Sequence, residues 1–510
     1  MLQFIIRRIA VSGLILLLGS FVLYVATINS GDPLEDLRES NARNREQLME
    51  ARAEIMNLDV PWWQRYLGWL TGASKCLVLQ CDLGTTMSGS SVNNMLIQSA
   101  GASLRLVTLA TFLALFIGIT LGILSAIRQY SGFDYGITFL AFLFYSLPVF
   151  WAAVLLKEYG AIRFNRWMAD PNLSLVMIAA VGLVFAILVT SVLGGPIRRQ
   201  ALTFLVTFLV VFGAVYYFDS VNWWQRPALG LPLIIVGGLV ALAFMLVMTV
   251  GLQNRKIMYA GLITIAVGIV GYFVTRPLME NPSSWWVVLG LALTTVVVSG
   301  AIGWLMGGFE RKIAMWVTAM TGLGLGFFAF MDYLLRAWSG FLELTPGRQI
   351  ATIGDTRIDP ARFTGTFWEN IYNWGIQLIL PTIVLTIISI AAYSRYTRAS
   401  MLETINQDYI RTARSKGLSD RVVYTKHALR NALIPITTIV AFDFASLLGG
   451  AVITETIFGW KGLGAMFAQG LNTVDPNPVM GYYLVAGGAA VMMNMLADIA
   501  YAFLDPRIRR

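Results

Sequence analysis

Residues 103–127 read SLRLVTLATFLALFIGITLGILSAI. Apart from Arg105, the stretch carries no charge. As an α-helix it would extend about 37 Å, enough to cross the roughly 30 Å hydrocarbon core of a bilayer. It does not alternate, so it does not read as a barrel strand, which spans in about ten residues of period two. In lipid every backbone N–H and C=O must be satisfied within the segment, and a helix does that. The stretch therefore predicts a membrane-spanning helix.

Working outward, similar stretches recur along the 510 residues, of which 57% are hydrophobic and 13% charged. Twelve spans are expected, at about 9–29, 103–127, 135–156, 174–195, 201–218, 228–252, 257–274, 285–308, 313–335, 376–397, 433–455 and 479–502. The fold class is an all-α polytopic transmembrane bundle. The N-terminal stretch reads as an uncleaved first span: its apolar part is longer than a signal-peptide core, and no small-residue cleavage site follows.

The net charge of +9 fits the positive-inside rule better than nucleic-acid binding. Short segments at 7–8, 128–129, 198–199, 254–256, 311–312, 395–430 and 505–510 hold more than half of the 37 Lys and Arg. This bias puts both termini in the cytosol. The pairs Trp62–Trp63, Trp223–Trp224 and Trp285–Trp286 fall at the opposite ends of spans, where indoles favour the interface. One His and two Cys leave no metal cluster, and no catalytic constellation is visible. There is no G-x-x-x-x-G-K-[ST] phosphate loop, so the chain is not expected to hydrolyse ATP or act as an enzyme.

Two long outer segments are expected, at 30–102 and 336–375. Composition over 34–56 predicts a solvated helix, followed by an amphipathic aromatic segment lying on the membrane. Cys76 and Cys81 lie on this oxidising side and are candidates for a disulfide. Within the spans, Asp443 and Asp498 are costly in lipid, by about 2.5–3.5 kcal/mol each on insertion scales, and should face protein or water. Asp443, Ser446, Asp498 and the Tyr145–Pro148 kink are candidates for a translocation path; hydrogen bonding to a partner subunit is the plainer alternative.

Residues 408–435 read DYIRTARSKGLSDRVVYTKHALRNALIP, a basic loop between two apolar spans. Asn406 and Asp408 offer N-cap oxygens for a short helix, and Gly417 suits its C′ position. Ser419 and Asp420 then start a second helix. Tyr409, Ile410 and Ala413 share an apolar face rimmed by Arg411, Arg414 and Lys416. Such a face suits a helix lying in another protein's groove.

This loop resembles the EAA loop of ABC-importer permeases, in the form found in oligopeptide and dipeptide permeases. RRIAVSGLILLLGSFVLYVATINSGDP (7–33), CDLGTTM (81–87), GAVITETIFGWKGLGAMF (450–467) and DPRIR (505–509) resemble further segments of that family, in its order. The resemblance implies a permease subunit of a type I ABC importer, moving oligopeptides or dipeptides across the bacterial plasma membrane. Nickel permeases share the branch. It implies a second homologous permease, ATP-binding cassette subunits that use ATP and Mg, and an extracytoplasmic substrate-binding protein, with no cofactor on this chain. It also implies that Asp408, Tyr409, Ile410, Arg411, Ala413, Arg414, Lys416 and Gly417 couple to the ATPase. Arg411 and Thr412 stand where the wider motif has Glu and Ala, so no Glu-based contact carries over.

The resemblance covers roughly 1–156 and 370–510. The expected organisation is a first core part (1–173, with outer loop 30–102), an inserted six-span region (174–335) and a second core part (336–510, with a cytosolic coupling loop at 398–432). The six inserted spans return the chain to the side it left and carry no family resemblance. Two other classes remain open: a self-sufficient secondary transporter, which twelve spans would fit but for which no repeat is visible, and a membrane enzyme, which would need clustered acids or histidines.

Overall fold

The computed structural model describes residues 2–251 and 254–504, without side chains at 2–9, 77, 360, 421, 426, 448–450 and 497–504. Segment 505–509 and the Asp498 side chain therefore lie outside the described residues. The first helices are α1 (Leu2–Ile28), α2 (Glu35–Arg38), α3 (Arg45–Ile55), α4 (Trp62–Ser74), α5 (Val92–Ile127), α6 (Gly132–Ser146) and α7 (Val149–Lys157). There follow α8 (Phe164–Ala169), α9 (Leu175–Leu193), α10 (Ile197–Ser220), α11 (Gly230–Met248), α12 (Arg255–Glu280), α13 (Trp285–Met306) and α14 (Arg311–Leu344). The last are α15 (Phe367–Ile405), α16 (Asp408–Ser415), α17 (Asp420–Val422), α18 (Leu429–Gly450), α19 (Val452–Phe458), α20 (Leu463–Asn472) and α21 (Pro476–Leu504). The chain is all-α among its described residues. Eleven helices are long and apolar enough to cross a membrane, or twelve if α6 and the helix after it count as one span.

That pair turns the kink expected at Tyr145–Pro148, within the span at 135–156, into a full break. The chain bends by 97° between α6 and Val149–Ala169. Pro148 forces the break: it has no N–H to donate and holds the preceding Leu147 extended, at ψ 121°. Two further expectations change. The helix expected over 34–56 divides into α2 and α3, because the intervening Ser40 hydroxyl takes the Ala42 N–H that a helix would have used. The span expected at 433–455 ends at Gly450.

The chain packs as two compact units, residues 1–161 with 352–355 and 378–510, and residues 162–351 with 356–377. These bounds differ from the expected 173 and 336: α8 and most of the outer segment 336–375 pack with α9–α14.

In the first unit, small residues let helices approach closely, which is how membrane helices associate when lipid removes the hydrophobic drive between them. A Cβ on Gly118 of α5 would stand 2.7 Å from Tyr393 Cβ of α15, and one on Gly122 would stand 2.5 Å from Thr397 Cβ. Where α5 and α15 diverge, Asp134 at the start of α6 joins them. Its carboxylate accepts from Arg398 Nε (2.7 Å) and Nη2 (2.8 Å), from Tyr130 N (3.0 Å) and from Ser125 Oγ. α4 docks one face on α1, burying Tyr66 and Trp69 against Tyr24 and Leu83, and leaves Trp62, Trp63 and Leu67 exposed. Cys76 and Cys81, just past α4, are joined in a disulfide.

In the second unit, α11–α14 surround a core of Ile234, Leu242, Ile257, Val317 and Leu325. Asp332 of α14 is fully buried yet satisfied. It accepts from Leu229 N and Gly230 N at the start of α11 (2.9 Å each), from Tyr272 OH (3.1 Å) and from Arg336 Nε (2.8 Å). A negative charge at a helix N-terminus is favourable, so one residue ties three helices of this bundle.

Candidate functional site

The loop between α15 and α18 folds as a helix–turn–helix. Gln407, extended at ψ 150°, precedes α16, and no side chain caps it; Asn406 instead donates back to Leu402 O. Gly417 turns the chain at φ +75°, a left-handed conformation that costs a side-chain-bearing residue about 1–2 kcal/mol. Its N–H closes the turn onto Arg414 O at 2.9 Å. Ser419 is extended, and α17 begins at Asp420.

The structure corrects the direction in which α16 faces. Ile410 is 0% and Ala413 6% exposed, and they pack with Met401, Val423, Ala428 and Ala432 of the same chain. The apolar face is therefore not free for another protein's groove. What remains outside is mostly polar: Asp408, Arg411, Thr412, Arg414, Ser415, Lys416 and Gly417, with Tyr409 and Leu418 also exposed. Arg414 lies over the Tyr424 ring and donates to its hydroxyl at 3.2 Å. Asn431 donates to Tyr409 OH at 2.9 Å. These contacts hold α16 against the start of α18, so the motif is a preformed charged knob on the ends of two spans.

The residues expected along a path do not converge on one site. Asp443 of α18 accepts from Ser389 Oγ at 2.9 Å and Tyr393 OH at 2.5 Å, both on α15. Its partners are thus in its own chain. Ser446, one turn on, is exposed. Tyr145 and Pro148 are exposed at the α6–α7 bend, and the Arg395 guanidinium sits 4.5 Å from the Tyr145 ring.

A buried acid organises a further element. α19 and α20 form a helical hairpin, and Glu455 in α19 is 0% exposed. Its Oε1 accepts from Ser103 Oγ of α5 at 2.5 Å, and its Oε2 from Ala465 N of α20 at 3.0 Å. Ser103 Oγ also receives Leu463 N at 2.8 Å, and Trp460 Nε1 donates to Ala102 O at 3.2 Å. Burial pushes the Glu455 carboxyl up, opposed by the Ser103 and backbone hydrogen bonds. Gly464 permits the fold-back, since a Cβ there would stand 2.6 Å from Val452 Cα. Sequence reasoning missed Glu455, and it missed Gly118–Gly122 and the Asp134–Arg398 pair. The first two left a trace: a lone acid in the apolar run VITETIF, and a G-x-x-x-G spacing inside the stretch at 103–127.

Comparison with known proteins bears on the whole chain. The family described as binding-protein-dependent transport system inner membrane component matches residues 118–510. The oligopeptide transport system permease protein OppB of Mycobacterium tuberculosis is 25% identical over 509 residues, covering 100% of this chain and 99% of its own. That match runs through 174–335, where the sequence alone showed no resemblance. The dipeptide transport system permease protein DppB of Escherichia coli is 38% identical over 202 residues, 38% of this chain and 59% of its own. The oligopeptide transport system permease protein AppB of Bacillus subtilis is 45% identical over 139 residues, 27% of this chain and 44% of its own. With its many apolar helices and a match over more than half its length, this chain belongs to the family of binding-protein-dependent transport system inner membrane components.

Proposed function

We propose that this chain is the permease subunit of an ATP-driven importer of short peptides in the bacterial plasma membrane. The peptide substrate is carried over from the names of the OppB, AppB and DppB relatives. A second permease, two ATP-binding cassette subunits and a substrate-binding protein complete the machine, and both termini lie in the cytosol. The observation that carries the mechanism is the charged knob at 408–418. It is rigid, because Ile410 and Ala413 lock it to Met401 and Val423, and it projects a cationic rim. A rigid body docked on a moving ATPase transmits motion directly to α15 and α18, the spans it joins. Asp443, bridging those two spans, keeps them moving together.

The test is co-purification from the native membrane. Wild type should bring down an ATPase and a second permease. Arg411→Glu reverses an exposed charge without touching the packed face, and Gly417→Arg strains the turn. Both should lose the ATPase while the second permease stays. An Arg411→Glu complex that retains ATPase and full ATP-driven uptake would refute the docking role.

A further inference from the structure

A cleft of about 400 Å³ runs through the second unit, among α12, α13 and α14 and the start of α11. Its walls reach from Thr264 to Met279 on α12 and from Val288 to Ile302 on α13. At 1.5 Å per residue those stretches are about 22 and 21 Å long, so the cleft lies along the helix axes. Phe327, Val298 and Val267 line it and are themselves exposed, so it opens onto the apolar outer surface of the bundle. Its walls present hydrocarbon. Among the described residues that line it, none is charged. The aliphatic hydroxyls of the lining, on Thr264, Thr275, Thr294, Thr295 and Ser299, each donate to a carbonyl of their own helix. Tyr272 donates to Asp332, and the Tyr333 hydroxyl is enclosed by protein, with only its ring left for the lining. A bound water needs two to four polar partners, and a polar solute needs a few placed donors; these walls hold neither in reach.

Two glycines shape the space. A Cβ on Gly268 would collide with Leu325, and one on Gly322 would stand 2.7 Å from Ser299 Oγ, so helix packing accounts for both. A Cβ on Gly271 or Gly326 would meet nothing within 4 Å among the described residues, yet both line the cleft. They sit inside helices, where glycine is the poorest choice after proline. Close helix approach does not explain them, and room in the cleft does. Protein interiors hold few spaces larger than a water, and side chains around an unfilled one forfeit dispersion contacts. These helices are long and apolar enough to cross a membrane, so lipid is what reaches the mouth of the cleft. A partner helix is too thick: 22 Å of helix about 10 Å across would occupy about 1,700 Å³. An extended hydrocarbon chain matches the length, the thinness and the chemistry.

We propose that this cleft binds one acyl chain of a bilayer phospholipid, laid along α12 and α13 between the open faces of Gly271 and Gly326. The chain fills the bundle from its lipid side and, by binding the folded form only, stabilises it. This site does not depend on what the first unit transports.

The test is photolabelling of the full-length chain in nanodiscs that contain a phosphatidylglycerol with a diazirine in one acyl chain, mapped by mass spectrometry. Label should concentrate on 264–279, 288–302 and 322–333, well above α10, which buries no residue and reports ordinary lipid contact. Gly326→Leu and Gly271→Leu put a side chain into the cleft, and each should cut its labelling at least tenfold. Gly290→Leu, equally open but outside the lining, should leave it unchanged. Thermal unfolding in detergent is the second readout: added phosphatidylglycerol should raise the unfolding temperature of wild type and of Gly290→Leu, and not that of Gly326→Leu. Cleft labelling no denser than that of α10, or unaltered by both filling variants, overturns the proposal. So does labelling that disappears when the chain is purified with its partner subunits, which would give the cleft to a partner. Should the filling variants fail to fold, the wild-type contrast between the cleft and α10 still decides.

Discussion

Removing the Glu455 carboxylate should open the α19–α20 hairpin. In Glu455→Ala, the Ala465 N–H and the Ser103 hydroxyl lose their acceptor inside a fully buried site. Each orphaned donor costs about 1–3 kcal/mol. Ser103 recovers part of this by turning its proton to the carbonyl one turn back in α5, a bond serine makes readily within helices. The sum is about 3–4 kcal/mol, which at about 1.4 kcal/mol per decade is about a hundred- to seven-hundredfold in the local opening equilibrium. Glu455→Gln behaves differently. Its carbonyl can take Ala465 N–H and its amide can donate to Ser103 Oγ, so the loss should be near tenfold, or about 1–2 kcal/mol. Hydrogen exchange read by mass spectrometry over residues 451–475, in nanodiscs, measures this opening, with α9 and α10 as an internal reference. Exchange in Glu455→Ala within threefold of wild type would show that the carboxylate does not hold the hairpin to α5.

Three other perturbations test the framework. Arg398→Met strands the Asp134 carboxylate, 3% exposed, and should destabilise the chain by about 3–5 kcal/mol, whereas adding Asp134→Leu to it should recover most of that; thermal unfolding of wild type, the two single variants and the double variant gives the coupling, and additive losses would refute it. Gly122→Leu forces α5 off α15 and should destabilise the chain by more than the roughly 1–3 kcal/mol usual for overpacking, seen as a sharp fall in unfolding temperature, while Gly136→Leu, with nothing within 4 Å, should leave it nearly unchanged. Burial pushes the Glu455 and Asp475 carboxyls up, so the neutral forms stabilise the fold below their ordinary values of 4.5 and 3.8, and that contribution is lost as pH rises through the raised values. Protection of 451–475 should therefore fall as pH climbs from about 4.5, and Glu455→Gln should flatten the profile.

Much of the fold is legible because hydropathy along a membrane chain reports one dominant free energy, transfer into hydrocarbon. That quantity places the long spans, and it fails where composition and path diverge. Val452–Phe458 is apolar, so it merges by hydropathy with the span before it, and only the break at Gly450–Ala451 separates them. The same averaging hides Glu455, since one acid in an apolar run barely lowers the mean. At Pro148 the sequence signals a kink, but a proline within a helix and a 97° break share that signal, and packing of the following helix decides between them.

The face of α16 shows a deeper limit. Amphipathic spacing says that Ile410 and Ala413 must be covered, and it is silent on whether this chain or another covers them. Here Val423 and Ala428, beyond the Gly417 turn, do so. The turn exists because glycine accepts φ +75°, so one residue folds the second half of the loop over the first. An apolar face locked inside leaves a surface of Arg411, Lys416 and their polar neighbours. Exposed charge pairs such as Arg411–Asp408, at 3.5 Å, contribute little to stability. Their presence at an exposed tip is better accounted for by recognition than by folding, because complementary charge sets encounter rate and register more than affinity. On the proposed docking role, the buried half of the loop would supply rigidity and the exposed half address, a division of labour that the periodicity of the sequence leaves undecided.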